Sequence, residues 1–183
     1  MSMRALRTAA TVAAAVVLAA GASAGMASAA GAPGATGAGA AAAACAPGTL
    51  KVTTTDAGSS QAGMNHQGTY LRVTNTGGST CAISGYPGLA LEGAGHTALK
   101  TRAQHGDTYF AKDPGVQQVT LKPGKSAYAD LVWSHAGPSS AQAKYLQVSP
   151  TGGNAHGVVA FDNAVDGGKL EVTAWSATPP GAN

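Results

Sequence analysis

The chain has 183 residues with 11 basic and 8 acidic side chains, a formal net charge of +3, and 26 glycines. Its Lys and Arg residues form no cluster, whereas a nucleic-acid footprint needs a basic stripe and an anionic membrane surface needs a polybasic patch. The composition therefore argues against both kinds of partner.

The first 29 residues have the features of a secretory signal peptide. Arg4 and Arg7 provide a basic start, an uncharged run extends from Thr8 to Ala24, and residues 27–29 have the small-x-small pattern of a cleavage site. A membrane anchor is the alternative, but the run is short and weakly apolar for a span of about 20 residues. Cleavage after residue 29 would leave nine basic and eight acidic residues. We therefore predict an exported protein without a membrane span.

Two further segments lack the pattern of a packed structure. Residues 30–44, AGAPGATGAGAAAAA, carry no charge, no aromatic ring and no amphipathic period, which predicts a flexible linker. Residues 179–183 are expected to be a disordered tail. The remaining residues 45–178 have a size that suits a single domain with one core.

Cys45 and Cys81 are the two cysteines of the chain. Outside the cytoplasm such a pair usually forms a disulfide, and this one would stabilise the fold by roughly 3–4 kcal/mol. A lipid anchor on Cys45 is the alternative, but Ala42 stands where that signal has a Leu-like residue. A catalytic thiol or a thiolate metal site is disfavoured, because oxidation would cap Cys81 and no Cys-x-x-Cys or Cys/His spacing is present.

From Leu50 onward, apolar residues alternate with period two between Gly and Pro turns. Hairpin turns are expected at residues 93–95 and 167–168, and Pro123–Gly124 is expected to reverse the chain. The best helix candidate is Ser139–Tyr145, at one or two turns. About eight to ten short strands predict an all-β fold, namely an antiparallel immunoglobulin-like β-sandwich with one disulfide.

The alternation also predicts which side chains form the core. Leu71, Tyr86, Leu131 and Trp133 are expected inside. Asp130 lies next to Leu131 on the predicted strand, so its side chain should point outward to solvent.

The stretch LRVTNTGGSTCAISGYPGLAL, followed by VTLKPGKSAYADLVW, resembles the domain of unknown function 4232, a family of secreted and lipid-anchored actinobacterial proteins. The resemblance covers about residues 45–177, and Cys45 fits its early cysteine. It implies a fold and an extracytoplasmic location, but no activity, because the family has no established catalytic residues. The matching residues are Asn75, Cys81, Gly85, Tyr86, Pro87, Pro123, Gly124 and Trp133.

Histidines and carboxylates form no recognisable catalytic or metal-binding motif. The stretch MNH, Met64–His66, suggests a weak histidine-based metal carrier, for which a solvated loop is the alternative. A copper site needs a cysteine, two histidines and a methionine, and Cys81 is expected in a disulfide. The stretch DNAVDGG, residues 162–168, lacks the spacing of an EF-hand loop. We predict no cofactor and no metal.

A serine hydrolase with a Ser/His/Asp triad assembled from distant residues is a further alternative. The stretch GASAG, residues 21–25, fits the Gly-x-Ser-x-Gly pattern, but it lies in the predicted signal peptide. No Ser-x-x-Lys occurs in the predicted domain, and nothing in the sequence selects a triad.

The irregular stretch RAQHGDTYFAKDPGV, residues 102–116, is long for a connection in a sandwich. It contains His105, Tyr109, Phe110 and Lys112, and long ordered loops with exposed aromatic residues often bind partners. The alternative is that Tyr109 and Phe110 cap the open end of the core. We predict a secreted, non-catalytic binding or structural module of the cell envelope or medium, with this loop as the binding surface for an unknown protein or glycan.

Overall fold

The computed structural model describes residues 42–46 and 48–181; the predicted signal peptide (1–29), the linker up to residue 41 and residues 182–183 lie outside this range. The described part is all-β, as predicted, and contains one short 3-10 turn, Ala94–His96; none of its helices could cross a membrane. The strands are β1 Leu50–Thr55, β2 Gln61–Gly63, β3 His66–Asn75, β4 Cys81–Ile83, β5 Gly88–Glu92, β6 Arg102–His105, β7 Val119–Leu121, β8 Ser126–Ser134, β9 Ser140–Ser149, β10 Gly157–Asp166 and β11 Lys169–Val172.

The larger sheet has six strands in the order β1-β3-β8-β11-β6, with β2 paired to β3. Strand β8 is central, with β3 on one side and β11 on the other. The pairs are antiparallel, as predicted, apart from β6 and β11, which run parallel.

A three-stranded antiparallel sheet, β10-β9-β5, and the two-stranded pair β4-β7 complete the described fold. Buried apolar side chains from all three sheets form one core. This layering fits a β-sandwich, while the immunoglobulin-like topology stays a prediction.

The core follows the period-two alternation of the sequence. Leu71 and Leu131 are fully buried and Trp133 is 5% exposed, so these three predictions are confirmed. The ring of Trp133 packs edge-on against Phe161 of the facing sheet, with 4.7 Å between the ring centres. The largest fully buried side chain is Trp175, whose indole N–H donates to the carbonyl of residue 150 at 2.8 Å.

Residues 140–145 of the best helix candidate, Ser139–Tyr145, belong instead to strand β9. This strand pairs with β5 on one side and β10 on the other. Its alternate residues Leu146 and Val148 are fully buried. Pairing on both edges outweighs the weak helical preference of the Ala- and Gln-containing segment.

The three predicted chain reversals have different outcomes. Residues 93–97 do form a tight reversal, closed by hydrogen bonds from Gly93 N to Thr97 O and from Leu99 N to Leu91 O. The turns at residues 123–124 and 167–168 exist, but the strands around them do not pair with each other. β7 pairs with β4 while β8 pairs with β3, and β10 and β11 belong to different sheets. Local turn residues reverse the chain without deciding which strands pair.

Cys45 and Cys81 form the predicted disulfide. The segment before Cys45 is also attached, because Ala44 forms a parallel bridge with Ala82 and Ala82 N donates to Ala43 O at 2.8 Å. The end of the predicted flexible linker therefore extends the β4-β7 pair.

The described part of the predicted disordered tail is also attached to the body. Pro180 is buried, and its carbonyl accepts a hydrogen bond from the Tyr70 hydroxyl at 3.3 Å. The carbonyl of Gly181 accepts one from Lys112 N at 3.3 Å. The packed body therefore extends to residue 181, because these carbonyls find donors on β3 and on the loop after β6.

Candidate functional site

The stretch 102–116, predicted from the sequence to be an irregular loop, begins with a strand and continues as a loop. Arg102–His105 is strand β6, and residues 106–118 form a loop, called here the covering loop. The covering loop lies against the outer face of the six-stranded sheet, on the side away from the core, as the contacts below establish. The predicted boundary at residue 102 is therefore too early.

The covering loop buries Asp130, which the sequence placed in solvent. Asp130 has no exposed surface, and its neighbours Ala129 and Leu131 are also fully buried, so β8 is covered on both faces at this point. Alternation placed Asp130 correctly on the outer face, but Thr108, 22 residues earlier in the chain, belongs to a segment that covers that face.

Asp130 is the centre of a buried hydrogen-bond network. Its Oδ1 accepts from Gln61 Nε2 at 2.6 Å, and its Oδ2 accepts from Thr108 Oγ1 of the covering loop at 2.5 Å. Its backbone N–H donates to Thr173 Oγ1 at 2.9 Å. Burial is the main cause that raises the pKa of the Asp130 carboxyl above its usual value, and the nearby Glu171 carboxylate raises it further. The hydrogen bonds from Thr108 and Gln61 act in the opposite direction but do not cancel the rise.

Gln61 reaches Asp130 because Gly68 leaves room for it. Gln61 and Gly68 are register partners on β2 and β3. A Cβ atom on Gly68 would lie 2.2 Å from Gln61 Oε1, so a side chain there would displace the carboxamide.

Three more carboxylates hold the covering loop in place. Glu171 of β11 accepts a hydrogen bond from Tyr109 N at 2.8 Å. Asp107 accepts from Lys112 Nζ at 2.7 Å and from Asp113 N at 2.9 Å, which closes the loop on itself. These two donors, Lys112 first, lower the pKa of the Asp107 carboxyl.

Asp113 connects the covering loop to the corner at Gly85–Pro87. Its Oδ2 accepts from the Tyr86 hydroxyl at 2.6 Å, and its Oδ1 accepts from Ala174 N at 2.8 Å. Tyr86 is half-buried, so the prediction that it lies in the core is wrong. Its hydroxyl needs a polar partner, and the loop carboxylate supplies one.

The covering loop and the start of β3 together present an aromatic surface, defined here as His66, Tyr109 and Phe110. The rings of His66 and Tyr109 are stacked, with centres 4.2 Å apart and planes 5° from parallel. Phe110 contacts Tyr109 edge-on at 4.9 Å. Tyr109 remains 43% exposed, and Met64, two residues before His66, is 82% exposed. Exposed aromatic side chains on a fixed backbone are typical of recognition surfaces.

The four predicted loop residues do not form one cluster. Tyr109 and Phe110 are in contact, whereas the ring of His105 stacks on Tyr86 at 4.4 Å. Lys112 forms an exposed ion pair with Asp107. The structure therefore adds His66 to the two aromatic residues and assigns the other two to loop anchoring.

The side chains of His96 and His156 contact a carboxylate and a backbone carbonyl. His96 Nδ1 lies 2.7 Å from Glu92 Oε2, and His156 Nδ1 lies 3.0 Å from Asn154 O. Among residues 42–46 and 48–181, no group of three His, Cys, Asp or Glu side chains could hold a metal ion. The metal-carrier and hydrolase alternatives stay predictions.

Sequence reasoning did not place His66, Asp130, Gln61 or Glu171 in the site. Gln61 and Glu171 are unremarkable polar residues in short strands. A lone acid within the apolar run ADLVW, residues 129–133, was the one available signal for Asp130, because a charged residue there is costly unless it is paired.

Comparison with known protein families matches residues 45–176 to Domain of unknown function (DUF4232). No curated protein and no solved structure matches the chain. The matched span contains the disulfide, the corner at Tyr86 and the whole covering loop. Because the match extends over more than half of the sequence, the chain belongs to the DUF4232 family.

Proposed function

We propose that this chain is an exported binding module that recognises a partner protein through the aromatic surface and performs no catalysis. The observation that carries the proposal is the exposure of Tyr109 on a backbone held from several sides. A side chain that merely capped the core would be buried, whereas Tyr109 keeps 43% of its surface in solvent.

Preorganisation supports a binding role. Glu171 holds the backbone of Tyr109, Asp130 holds Thr108, and Asp113 ties the end of the loop to Tyr86. Fixing a loop before binding reduces the conformational entropy lost in the complex. The ring stack with His66 further limits the rotamers of Tyr109.

The chemistry of the aromatic surface favours a protein over a glycan. One face of Tyr109 is covered by the imidazole of His66, so a sugar ring would find at most one open face on Tyr109. Met64, two residues before His66, offers a flexible and exposed apolar side chain, and Met, Tyr and Phe are enriched at protein interfaces.

Export is supported by the predicted signal peptide and by the disulfide, because disulfides persist in oxidising compartments. The partner is then a protein of the cell envelope or the medium.

The test is a pull-down from the surface and medium of the producing cell, with purified protein as bait. The double variant Tyr109→Ala/Phe110→Ala should lose the captured partner, with a melting temperature within about 4 °C of the parent. Val158→Ala is the matched control, because Val158 has a similar exposure of 45% but lies on β10 of the other sheet. Equal capture by a folded double variant, or loss of capture in the control, would refute the proposal.

A further inference from the structure

The three-stranded sheet carries a cleft of about 360 Å³ on its outer face. Gly88 and Ala90 of β5 form its floor with their register partners Ser149 and Gln147 of β9. These residues alternate with the buried Leu91, Leu146 and Val148, which point into the core. The small floor residues leave a hollow of the size range that binds small molecules.

One wall of the cleft is the turn between β9 and β10, and it is held in shape by its own hydrogen bonds. Ser149 Oγ lies 2.6 Å from Gly153 O and 3.0 Å from Ala155 O. His156 Nδ1 lies 3.0 Å from Asn154 O, which fixes the imidazole against the turn. Asn154 and His156 both line the cleft.

The hydrogen bonds that shape the cleft leave acceptor atoms for a ligand. Asn154 O can only accept, so His156 Nδ1 must carry the hydrogen, and the Nε2 of the neutral ring is then an acceptor. Gln147 donates from Nε2 to Glu92 Oε1, which leaves its carboxamide oxygen as an acceptor. A ligand that matches this site must donate hydrogen bonds, as hydroxyl groups do.

The cleft offers no open charge. Glu92, next to it on β5, is 6% exposed, and its two oxygens are engaged by Gln147 and by His96 Nδ1. The hydrogen bond from His96 is the main cause that lowers the pKa of the Glu92 carboxyl, so Glu92 is ionised at neutral pH. The negative charge disfavours an anionic ligand, whereas a neutral ligand meets no such repulsion.

We propose that this cleft is a binding site for a neutral saccharide. Sugar hydroxyls supply the donors that His156 and Gln147 require, and the Asn154 carboxamide can both donate and accept. A neutral polyol is also compatible with the ionised Glu92 carboxylate next to the cleft. The site is separate from the aromatic surface, which lies on the six-stranded sheet, and it does not depend on the proposed protein partner.

The test is a titration of the ¹⁵N-labelled protein with glucose, galactose, mannose, N-acetylglucosamine and their β-1,4-linked disaccharides, followed by NMR. At least one sugar should shift the amide signals of residues 88–90 and 147–156 in a saturable way. Gln147→Ala and, independently, His156→Ala should each weaken this binding by about tenfold. Two variants are used because Gln147 also supports Glu92 and its replacement could disturb the fold.

The matched control is Tyr109→Ala/Phe110→Ala, which should bind the same sugar with unchanged affinity. The proposal is overturned if no sugar shifts these signals at roughly 50 mM, or if both cleft variants, shown to be folded, bind as the parent does. Loss of sugar binding in the control variant would assign the sugar to the aromatic surface and would equally overturn it. Failure of the protein pull-down leaves these results unaffected, so the two proposals are tested independently.

Discussion

Two adjacent glycines connect β10 to β11, and they should respond very differently to alanine. Gly167 and Gly168 both have positive φ, 59° and 69°. A Cβ on Gly168 would lie 2.0 Å from the backbone oxygen of Lys100, whereas a Cβ on Gly167 has its nearest contact at 4.0 Å, with the flexible end of Lys169. The pair therefore separates a steric effect from a backbone preference.

The magnitudes follow from these contacts. Each alanine is held in the left-handed region at a cost of about 1 kcal/mol. For Gly168→Ala the backbone of Lys100 must also move, at about 1–3 kcal/mol, which is typical of overpacking. This shift endangers the hydrogen bond from Arg102 N to Gly168 O, 2.8 Å long, which begins the β6–β11 pairing and is worth about 1 kcal/mol. We expect Gly168→Ala to lose about 3–5 kcal/mol and Gly167→Ala about 1 kcal/mol.

Urea denaturation followed by tryptophan fluorescence measures the difference, because Trp175 and Trp133 are both buried in the native state. Destabilisation of the two variants by amounts within about 0.5 kcal/mol of each other would refute the reasoning. Such a result would mean that the Lys100 backbone moves away from the new methyl group at little cost in free energy. Because β6 leads directly into the covering loop, Gly168→Ala should also weaken partner binding more than Gly167→Ala does.

Two further predictions concern buried polar groups. The pKa of Asp130 is raised in the folded state, so its protonation stabilises the protein below the unfolded pKa of about 4, and this contribution is lost as the pH rises through the folded pKa. Urea titrations at several pH values measure the free energy of unfolding of the parent and of Asp130→Asn. The difference in favour of the parent should shrink as the pH rises. A difference that stays constant or grows would contradict this prediction. Asn75, 1% exposed, donates to Ser79 O and Leu121 O at 2.8 and 2.9 Å and accepts a third hydrogen bond, so Asn75→Ala should lose about 3 kcal/mol. Thr76→Ala, which removes one exposed hydrogen bond, is its control, and similar denaturation midpoints for both variants would contradict the assignment.

The period-two alternation of the strands predicted most of the fold. The alternation at Leu71 and Leu131 identified inward-facing residues correctly, because the period of two is a property of the extended backbone itself. The resemblance to the DUF4232 pattern also predicted the family correctly, since its cysteine, Gly-Tyr-Pro and Pro-Gly elements lie at positions that a sequence displays directly.

The wrong predictions for the burial of Asp130 and Tyr86 have a common cause. Alternation put Asp130 on the outer face, but contact with Thr108 decided that this face is buried there. Tyr86 was expected in the core, but it is half-buried and its hydroxyl donates to the Asp113 carboxylate of the covering loop. In each case the deciding group lies more than 20 residues away in the chain, where local pattern carries no information.

The contacts of the candidate site could not be predicted from local sequence for the same reason. Tyr109 and Phe110 attracted attention as aromatic residues in a long loop, but nothing local connects them to His66, which reaches Tyr109 from the start of β3. The carboxylates that hold the loop come from β8, β11 and the loop itself.

The order of residues alone indicated most of the strands, the inward-facing side chains of Leu71, Leu131 and Trp133, and the cysteine pair, since these depend on backbone geometry and on residue type. Tertiary structure alone decided which strands pair across the two main sheets, that the outer face of β8 is covered, and which ring stacks on Tyr109. Those outcomes depend on the free energy of contacts between distant segments, which exist only after the whole chain has packed.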